Sequence, residues 1–428
     1  MRENFRRCLE LLRSGYVPKW NDGYPVYDER IRVFIEAVHS DEICDHNYLE
    51  HSDCIRDKAP EELTHRELCT FFTYIVRGER FCSGHIAGYI QNGILQELLE
   101  CYLRLTATGR EAISSGILGM AVADALGVPA EFKRREELHA HPITDMIGGG
   151  AHQQVAGTWS DDTSMALCLA FSLADKGCVD ADDIMRRFGD WYENGTYSPH
   201  GQCFDVGTTV QSALKHYAEG IPATKCGGAE VRDNGNGSLM RILPLVYFLM
   251  RRYGCDLCDH DEAMRLIDTV SSLTHRHPIS KVACGIYVDS ASRLLLGNAT
   301  GVAVQRGVEE TLAWYADRDE YASGLSCWKR LLDTAAFAAL PEAEIRSSGY
   351  VVDTLEAALW CLLNTDNYRD CILKAVNLGE DTDTVAAVAG GLAGIRYGLS
   401  GIPAAWLDGL QNMQMLEECC ERLATITK

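Results

Sequence analysis

Apolar residues three and four positions apart recur through most of the chain beyond residue 112, and this spacing puts them on one face of an α-helix. The segments that follow it are 165–176, 210–219, 239–252, 279–295, 311–316 and 351–363. The loops between them are rich in Gly, Asp, Asn and Pro, and no run of alternating polar and apolar residues indicates a strand. The sequence therefore predicts an all-α fold, a compact orthogonal multi-helix domain.

A break in this pattern divides the chain of 428 residues, which is longer than one average domain. A helical pattern at 90–105 ends before Gly109, and a second pattern, richer in Gly and Ala, begins near Ala112. We therefore predict a small, mostly helical N-terminal module at 1–108 and a larger domain at 109–428. We assign no activity to the module.

The charge of the chain restricts its partners. The net charge of −21 argues against nonspecific binding to nucleic acid or to an anionic membrane, because phosphates would meet a repulsive surface. Eighteen cysteines are scattered along the chain, which indicates reduced thiols. Residues 1–15 lack a signal-peptide core, and the longest apolar stretch, 385–395, is too short to span a bilayer. We therefore expect a cytoplasmic protein with no membrane partner.

Two adjacent carboxylates, Asp161 and Asp162, lie between the hydroxyls of Ser160 and Thr163, just before an apolar helix. This cluster offers oxygen ligands only, which hard cations such as Mg²⁺ or Mn²⁺ prefer. The alternative is helix capping, since Ser or Asp before a helix binds free backbone N–H groups and acids favour the positive end of the helix dipole. Taken alone, the cluster favours capping.

A second acidic cluster, Asp381, Asp383 and Thr384, precedes an apolar helix predicted from residue 385. Capping is again the alternative. Two such clusters, far apart in the sequence, would bring four aspartates together only if a cation offset their repulsion. The pair of clusters is therefore a more specific signal than either member.

A loop of Gly235, Asn236, Gly237 and Ser238 lies ahead of another apolar helix. Its backbone N–H groups, the Ser238 hydroxyl and the helix dipole could bind phosphate, although the loop matches neither the Walker nor the dinucleotide-binding pattern. An ordinary turn, with Asn in the left-handed conformation, is the alternative.

Weaker signals surround these clusters. Asp205 and His275 each precede a helix, but lone histidines are more often solvated or structural than catalytic. Gly390, Gly394 and Gly398 recur at four-residue steps, so one helix face is nearly bare. Such a face permits close approach by a ligand or by another helix, and we favour helix packing.

Six ordered motifs resemble those of the ADP-ribosylglycohydrolases, a family typified by dinitrogenase reductase-activating glycohydrolase. They occupy 116–132, 159–163, 204–207, 235–241, 274–275 and 379–384. The resemblance extends over residues 112–410, and six motifs in order make chance agreement very improbable. It implies an all-helical ADP-ribosylhydrolase-like domain, and the N-terminal module is similar to a domain of unknown function that bacterial relatives carry.

The resemblance also implies roles for individual residues. It implies a pair of divalent cations, Mg²⁺ or Mn²⁺, bound by Ser160, Asp161, Asp162, Asp381, Asp383 and Thr384. The implied catalytic carboxylates are Glu131, near the reacting ribose, Asp205, near the scissile bond, and Asp162. The implied substrate-binding residues are Gly235, Asn236, Gly237 and Ser238, along the pyrophosphate and ribose path, and His275, beside the nucleotide.

The implied activity is metal-dependent removal of ADP-ribose from a protein or small-molecule adduct, by hydrolysis at the anomeric carbon of the distal ribose. The alternative is a noncatalytic member of the family that binds ADP-ribose or is structural, as in certain lens crystallins. The intact carboxylates favour the enzyme. Ser160 stands where many relatives have Thr, and Glu380 where many have Gly; neither change removes an implied ligand.

Overall fold

A computed structural model describes residues 2–53, 55–56, 58–60, 63–254 and 256–426. The chain forms two compact units, residues 1–107 and 108–428. The division falls directly before Thr108, next to the boundary expected from Gly109.

The N-terminal unit is mostly helical. Its elements are helices α1 (Arg2–Arg13), α2 (Glu29–Val38), α3 (Tyr48–Ser52), α4 (His65–Gly78), α5 (His85–Gln91) and α6 (Ile94–Ala107), and strands β1 (Lys19–Asn21) and β2 (Tyr24–Val26). The strands pair antiparallel around Asp22 and Gly23, whose φ angles of 50° and 83° suit a two-residue hairpin turn. The continuous helix expected at 90–105 is wrong, because the chain turns at Gly93, with φ of 81°, between α5 and α6.

Aromatic rings form the centre of the N-terminal unit. The ring centroid of Phe5 lies 5.0 Å from that of Phe34, 5.3 Å from that of Phe72 and 4.5 Å from that of Tyr102. Edge-to-face and stacked rings at these distances pack with favourable electrostatics as well as apolar burial. The four rings come from four separate parts of the sequence and hold α1, α2, α4 and α6 together.

The C-terminal unit confirms the predicted all-α fold. Its helices are α7 (Arg110–Gly127), α8 (Arg135–Ala140), α9 (Asp161–Lys176), α10 (Ala181–Asn194), α11 (Thr208–Ala218), α12 (Leu243–Tyr253), α13 (Asp261–Ser272), α14 (Pro278–Leu295), α15 (Thr300–Ala316), α16 (Thr334–Ala338), α17 (Val351–Leu363), α18 (Tyr368–Val376), α19 (Thr382–Tyr397), α20 (Ala404–Gly409) and α21 (Met413–Ala424). Helix α15 begins well before the predicted 311–316 segment, and α12 begins after the predicted residue 239, at the turn that contains Pro244.

Helices α7 and α19 pack backbone to backbone at the centre of this unit. A Cβ atom on Gly394 would lie 2.0 Å from the carbonyl oxygen of Ser115, and one on Gly119 would lie 2.7 Å from that of Gly390. The bare face predicted from Gly390 and Gly394 therefore packs against a helix rather than a ligand. Gly398 has a different role, since it ends α19 with φ of 75°.

Among the described residues, one segment, Arg110–Ala130, is long and apolar enough to cross a membrane by length and composition, with a mean hydropathy of 1.5 over its most apolar window. Within the fold, 94% of that window is buried by the surrounding helices. A central core helix passes the same test, because burial inside a protein and burial in a bilayer favour the same side chains.

Candidate active site

The two acidic clusters meet in space. Ser160 is the N-cap of α9, and the Thr384 hydroxyl, from the first turn of α19, donates a hydrogen bond of 3.2 Å to Oδ2 of Asp162, 222 residues away. Asp381 stands at the N-cap of α19, but its side chain makes no capping bond. The capping interpretation therefore accounts for part of the first cluster and not for the second.

Asp124, in the last turn of α7, holds the first acidic turn in place. Its carboxylate accepts hydrogen bonds from the backbone N–H of Ser160 at 2.9 Å and from the Thr163 hydroxyl at 2.6 Å. Burial raises its pKa to about 6 in spite of these bonds. Asp124 was not among the predicted site residues, although a carboxylate inside an apolar helix is a signal that could have identified it.

The Gly/Asn loop contacts the second acidic turn. The Asn236 side-chain amide donates to Oδ2 of Asp381 at 2.9 Å and to the Thr354 hydroxyl at 3.0 Å. The loop does turn, in a 3₁₀ turn at Asn236–Ser238, but neither Asn234, with φ of −85°, nor Asn236 has the left-handed backbone that the alternative expected. The loop and the acidic turn form one polar network.

His152, which was not among the predicted site residues, contacts two of the candidate catalytic acids. Nε2 of His152 lies 2.7 Å from Oε2 of Glu131 and 3.9 Å from Oδ1 of Asp205. The imidazole centroid lies 5.9 Å from the ring of Phe132 and 5.3 Å from that of Phe204. The local signal was weak, since it consists of a single histidine after a run of three glycines.

Backbone strain marks the same region. Phe132, Asp205 and Glu380 have positive φ angles of 65°, 53° and 64°. Phe132 N–H donates to the carbonyl of Glu380, and Glu380 N–H donates to that of Lys133, both at 2.8 Å. These bonds hold Glu131 beside Asp381, and non-glycine residues persist in this conformation where the surrounding structure over-determines it.

These residues surround a cleft of about 240 Å³. Its lining includes Glu131, Asp161, Asp205, Gly235, Asn236, Gly237, His275, Asp381 and Thr384. Ser238 does not contribute: its hydroxyl is fully buried and accepts a hydrogen bond from Ser271 at 3.2 Å. The expectation that this hydroxyl faces a phosphate is therefore wrong, because the loop turns into a 3₁₀ turn at Asn236–Ser238 and points Ser238 into the core.

The sequence matches the family model described as ADP-ribosylglycohydrolase over residues 105–428. The chain belongs to the ADP-ribosylglycohydrolase family. Residues 21–108 match a separate family of unknown function. These two matches confirm the resemblance inferred from the six motifs and the resemblance of the N-terminal module to a domain of unknown function.

Named relatives of this ADP-ribosylglycohydrolase are enzymes. The ADP-ribosylarginine hydrolase Tri1 of Serratia proteamaculans is 36% identical over 72% of this chain and 77% of its own length. The ADP-ribosyl-[dinitrogen reductase] glycohydrolase of Rhodospirillum rubrum is 32% identical over 68% of this chain and 88% of its own. A solved ADP-ribosylglycohydrolase-related protein complex aligns with a TM-score of 0.56 and 30% identity, over 74% of this chain and 99% of that one. The chain is an ADP-ribosylhydrolase, as predicted, and it removes ADP-ribose.

The acids of this ADP-ribosylglycohydrolase repel one another. Burial, together with neighbouring carboxylates such as Asp205 and Asp124, raises the pKa of Asp161 and of Asp162 well above the usual range, and burial with the charge of Glu131 does the same for Asp383. In the described part of the chain, no lysine or arginine forms an ion pair with these acids. Glu131 and Asp205 have the His152 imidazole within ion-pair distance, whereas the other acids have no such partner among the described residues.

The acidic cluster fits divalent cations. Oδ1 of Asp162 and Oδ2 of Asp383 are buried without a hydrogen-bond partner among the described residues. Such burial is costly for a carboxylate unless a cation binds the unpaired oxygen. Carboxylate oxygens of Glu131, Asp381 and Asp383 also lie within 4.8 Å of one another. All the donors are carboxylate or hydroxyl oxygens, the ligands that Mg²⁺ and Mn²⁺ prefer.

Proposed function

We propose that this ADP-ribosylhydrolase is metal-dependent and hydrolyses the bond at the anomeric carbon of the distal ribose. The observation that carries the proposal is the meeting of the two acidic turns, with the Thr384 hydroxyl on Asp162 and unpaired carboxylate oxygens beside it. Two divalent cations, Mg²⁺ or Mn²⁺, would be held by Ser160, Asp161, Asp162, Asp381, Asp383 and Thr384. When bound, such cations supply Lewis acidity and fix the hydroxyls of the distal ribose.

The carboxyls of Glu131 and Asp205 move the proton in this proposal. Water attacks the anomeric carbon, the bond from that carbon to the leaving group breaks, and the proton lost by water is balanced by the proton gained by the leaving group. Burial, and then the charge of Asp205, raises the pKa of Glu131 to about 9, which suits a group that gives up a proton near neutral pH. His152 holds the Glu131 carboxyl by the 2.7 Å contact.

We propose an arginine guanidinium as the leaving group, on a protein or on a small adduct. The named relatives include an ADP-ribosylarginine hydrolase. The ring of Phe132, 67% exposed, lies next in sequence to the Glu131 carboxyl. Its ring centroid lies 5.9 Å from that of His152, which contacts the Glu131 carboxyl, and an exposed ring at this place suits a planar cation that stacks on it and donates hydrogen bonds to the acids.

The double variant Asp161→Ala with Asp383→Ala tests the metal proposal. We expect it to abolish the Mg²⁺- or Mn²⁺-dependent release of ADP-ribose, measured on an ADP-ribosylated arginine substrate, and to lose Mg²⁺ binding by calorimetry. Glu380→Gln is the matched control, because it removes a carboxylate that is next to the cluster but exposed. Undiminished turnover by the double variant would contradict the proposal.

A panel of substrates tests the leaving group. Arginine, serine and acetyl adducts of ADP-ribose are compared at equal concentration with the wild-type protein. We expect the arginine adduct to be cleaved fastest. Binding of ADP-ribose without cleavage of any adduct would instead favour a noncatalytic role.

A further inference from the structure

Arg241, just after the Gly/Asn loop, is a fully buried cation without an acidic partner among the described residues. Its guanidinium donates to the carbonyls of Gly237 and Val270 and, at 2.7 Å, to the Thr274 hydroxyl. It also stacks 4.9 Å from the ring centroid of Phe188. The charge of Asp161 acts on it only at longer range, and burying a guanidinium without a direct ion pair is costly, so the position calls for a role other than stability.

The guanidinium of Arg241 determines the direction in which the Thr274 hydroxyl donates its proton. A guanidinium can only donate, so the Thr274 oxygen is the acceptor of the bond from Arg241. The same hydroxyl lies 2.8 Å from Nδ1 of His275 and makes no other hydrogen bond to the described residues, so its proton is donated to Nδ1. Nδ1 is then an acceptor, and in a neutral imidazole the proton resides on Nε2.

The neutral form of His275 follows from its surroundings. Burial, and next the charge of Arg241, lowers the pKa of His275 to about 3. The groups that face the ring are uncharged apart from Arg241: the Thr274 hydroxyl on one edge and the glycines of the Gly/Asn loop on the other.

The Nε2 edge of His275 faces the cleft, although the residue as a whole is only 1% exposed. His275 lines the cleft, and its Nε2 makes no hydrogen bond to the described residues. A Cβ atom on Gly235 would lie 3.5 Å from Nε2, and one on Gly237 would lie 3.6 Å from it and 2.9 Å from Cε1. A side chain at either position would cover this edge, so glycine at both leaves it facing the cleft.

We propose that Arg241 and Thr274 are positioning residues that lock His275 in the Nε2–H tautomer, so that it donates one hydrogen bond to a phosphate oxygen of the bound ADP-ribosyl group. The identity of the ligand rests on the proposed function, whereas the lock is a property of the protein without ligand. The buried positive charge of Arg241 further favours an anion at this edge.

A matched pair of variants tests the lock. Thr274→Val removes the hydroxyl while keeping the shape, and Thr274→Ser keeps the hydroxyl. In the ligand-free protein with ¹⁵N-labelled histidine, two-bond ¹H–¹⁵N spectra distinguish the two tautomers of the imidazole. We expect the wild type and Thr274→Ser to carry the His275 proton on Nε2, and Thr274→Val to lose this single form. A proton on Nδ1 in the wild type, or an unchanged spectrum in Thr274→Val, would overturn the lock.

Calorimetry with ADP-ribose and with adenosine tests the role of the donor. We expect Thr274→Val to bind ADP-ribose about tenfold more weakly, while adenosine, which has no phosphate, keeps its affinity. Equal losses for both ligands, or none, would overturn donation to phosphate. A wild-type protein with the expected tautomer but no affinity for ADP-ribose would overturn the proposed function and leave the lock supported.

Discussion

Phe132, Asp205 and Glu380 share a left-handed backbone at the edge of the candidate active site. A residue with a Cβ atom in this conformation costs about 1–3 kcal/mol. The strain at Phe132 and Glu380 is maintained by the two backbone bonds that hold Glu131 next to Asp381. At the scale of single residues, the backbone conformation that positions the acids therefore lowers the folding stability of the protein.

Replacement of Phe132 tests its role as a stacking surface. We expect Phe132→Leu to raise KM for the arginine adduct about fivefold with little change in kcat, because a cation–π contact contributes about 1 kcal/mol. Phe132→Tyr keeps the aromatic face and should retain the wild-type KM. Steady-state kinetics on both variants provides the measurement, and equal KM values for Leu and Tyr would contradict the stacking.

Replacement of Glu380 tests the strain. We expect Glu380→Gly to raise the free energy of unfolding of the C-terminal unit by about 1 kcal/mol, because glycine adopts a φ of 64° without a steric penalty. Glu380→Ala retains the Cβ atom and should give no such gain. Urea denaturation reports both values, and a gain of the same size in Glu380→Ala would argue against strain as the cause.

At the scale of elements, the packing of α7 on α19 positions the site. A Cβ atom on Gly127, the last residue of α7, would lie 2.3 Å from Cα of Asp383, so the end of one helix touches the start of the other. The same crossing brings Asp124 of α7 to the Ser160 turn, and the chain after α7 leads directly to Glu131. The glycines that permit this approach therefore support the geometry of the acids as well as the core.

The close approach of the two helices predicts the effect of a single methyl group. We expect Gly394→Ala to lower the free energy of unfolding by at least about 2 kcal/mol, because the added Cβ would lie 2.0 Å from a backbone oxygen that cannot move aside alone. Gly189→Ala is the control, since that glycine lies inside α10 with open space around it and should gain up to about 1 kcal/mol. Thermal or urea unfolding compares the two variants. Equal stabilities would show that the contact between α7 and α19 tolerates side chains.

At the scale of the whole molecule, buried carboxylates lie within a protein that already carries a net charge of −21. Ligands that bind only the folded state stabilise it by mass action, by about 2.7 kcal/mol at a hundred times Kd. We therefore expect Mg²⁺ or Mn²⁺ to raise the Tm of the C-terminal unit by several degrees in differential scanning calorimetry, and not to do so in Asp161→Ala with Asp383→Ala. Sodium chloride at equal ionic strength controls for screening, and an equal rise with it would contradict specific binding.

The local sequence determined the fold class of this protein and the positions of its motifs. Helical spacing predicted the all-α fold, because the three- to four-residue period reports which face of each helix is buried. The acidic and Gly/Asn motifs stand at helix starts that the sequence itself marks, and their order was enough to predict the family. The break at Gly93 and the hairpin at Asp22 and Gly23 were missed, although both carry turn residues.

Only the tertiary structure decided which of these residues meet. The contact between Thr384 and Asp162 joins turns 222 residues apart. The contact of His152 with Glu131 depends on how a glycine-rich loop packs, through Gly150, against the turn Val128–Ala130. Ser238, which belongs to the same motif as Asn236, turns into the core while Asn236 faces the acids. Periodicity and capping describe hydrogen bonds and burial within a few residues, whereas these contacts depend on the packing of helices distant in sequence.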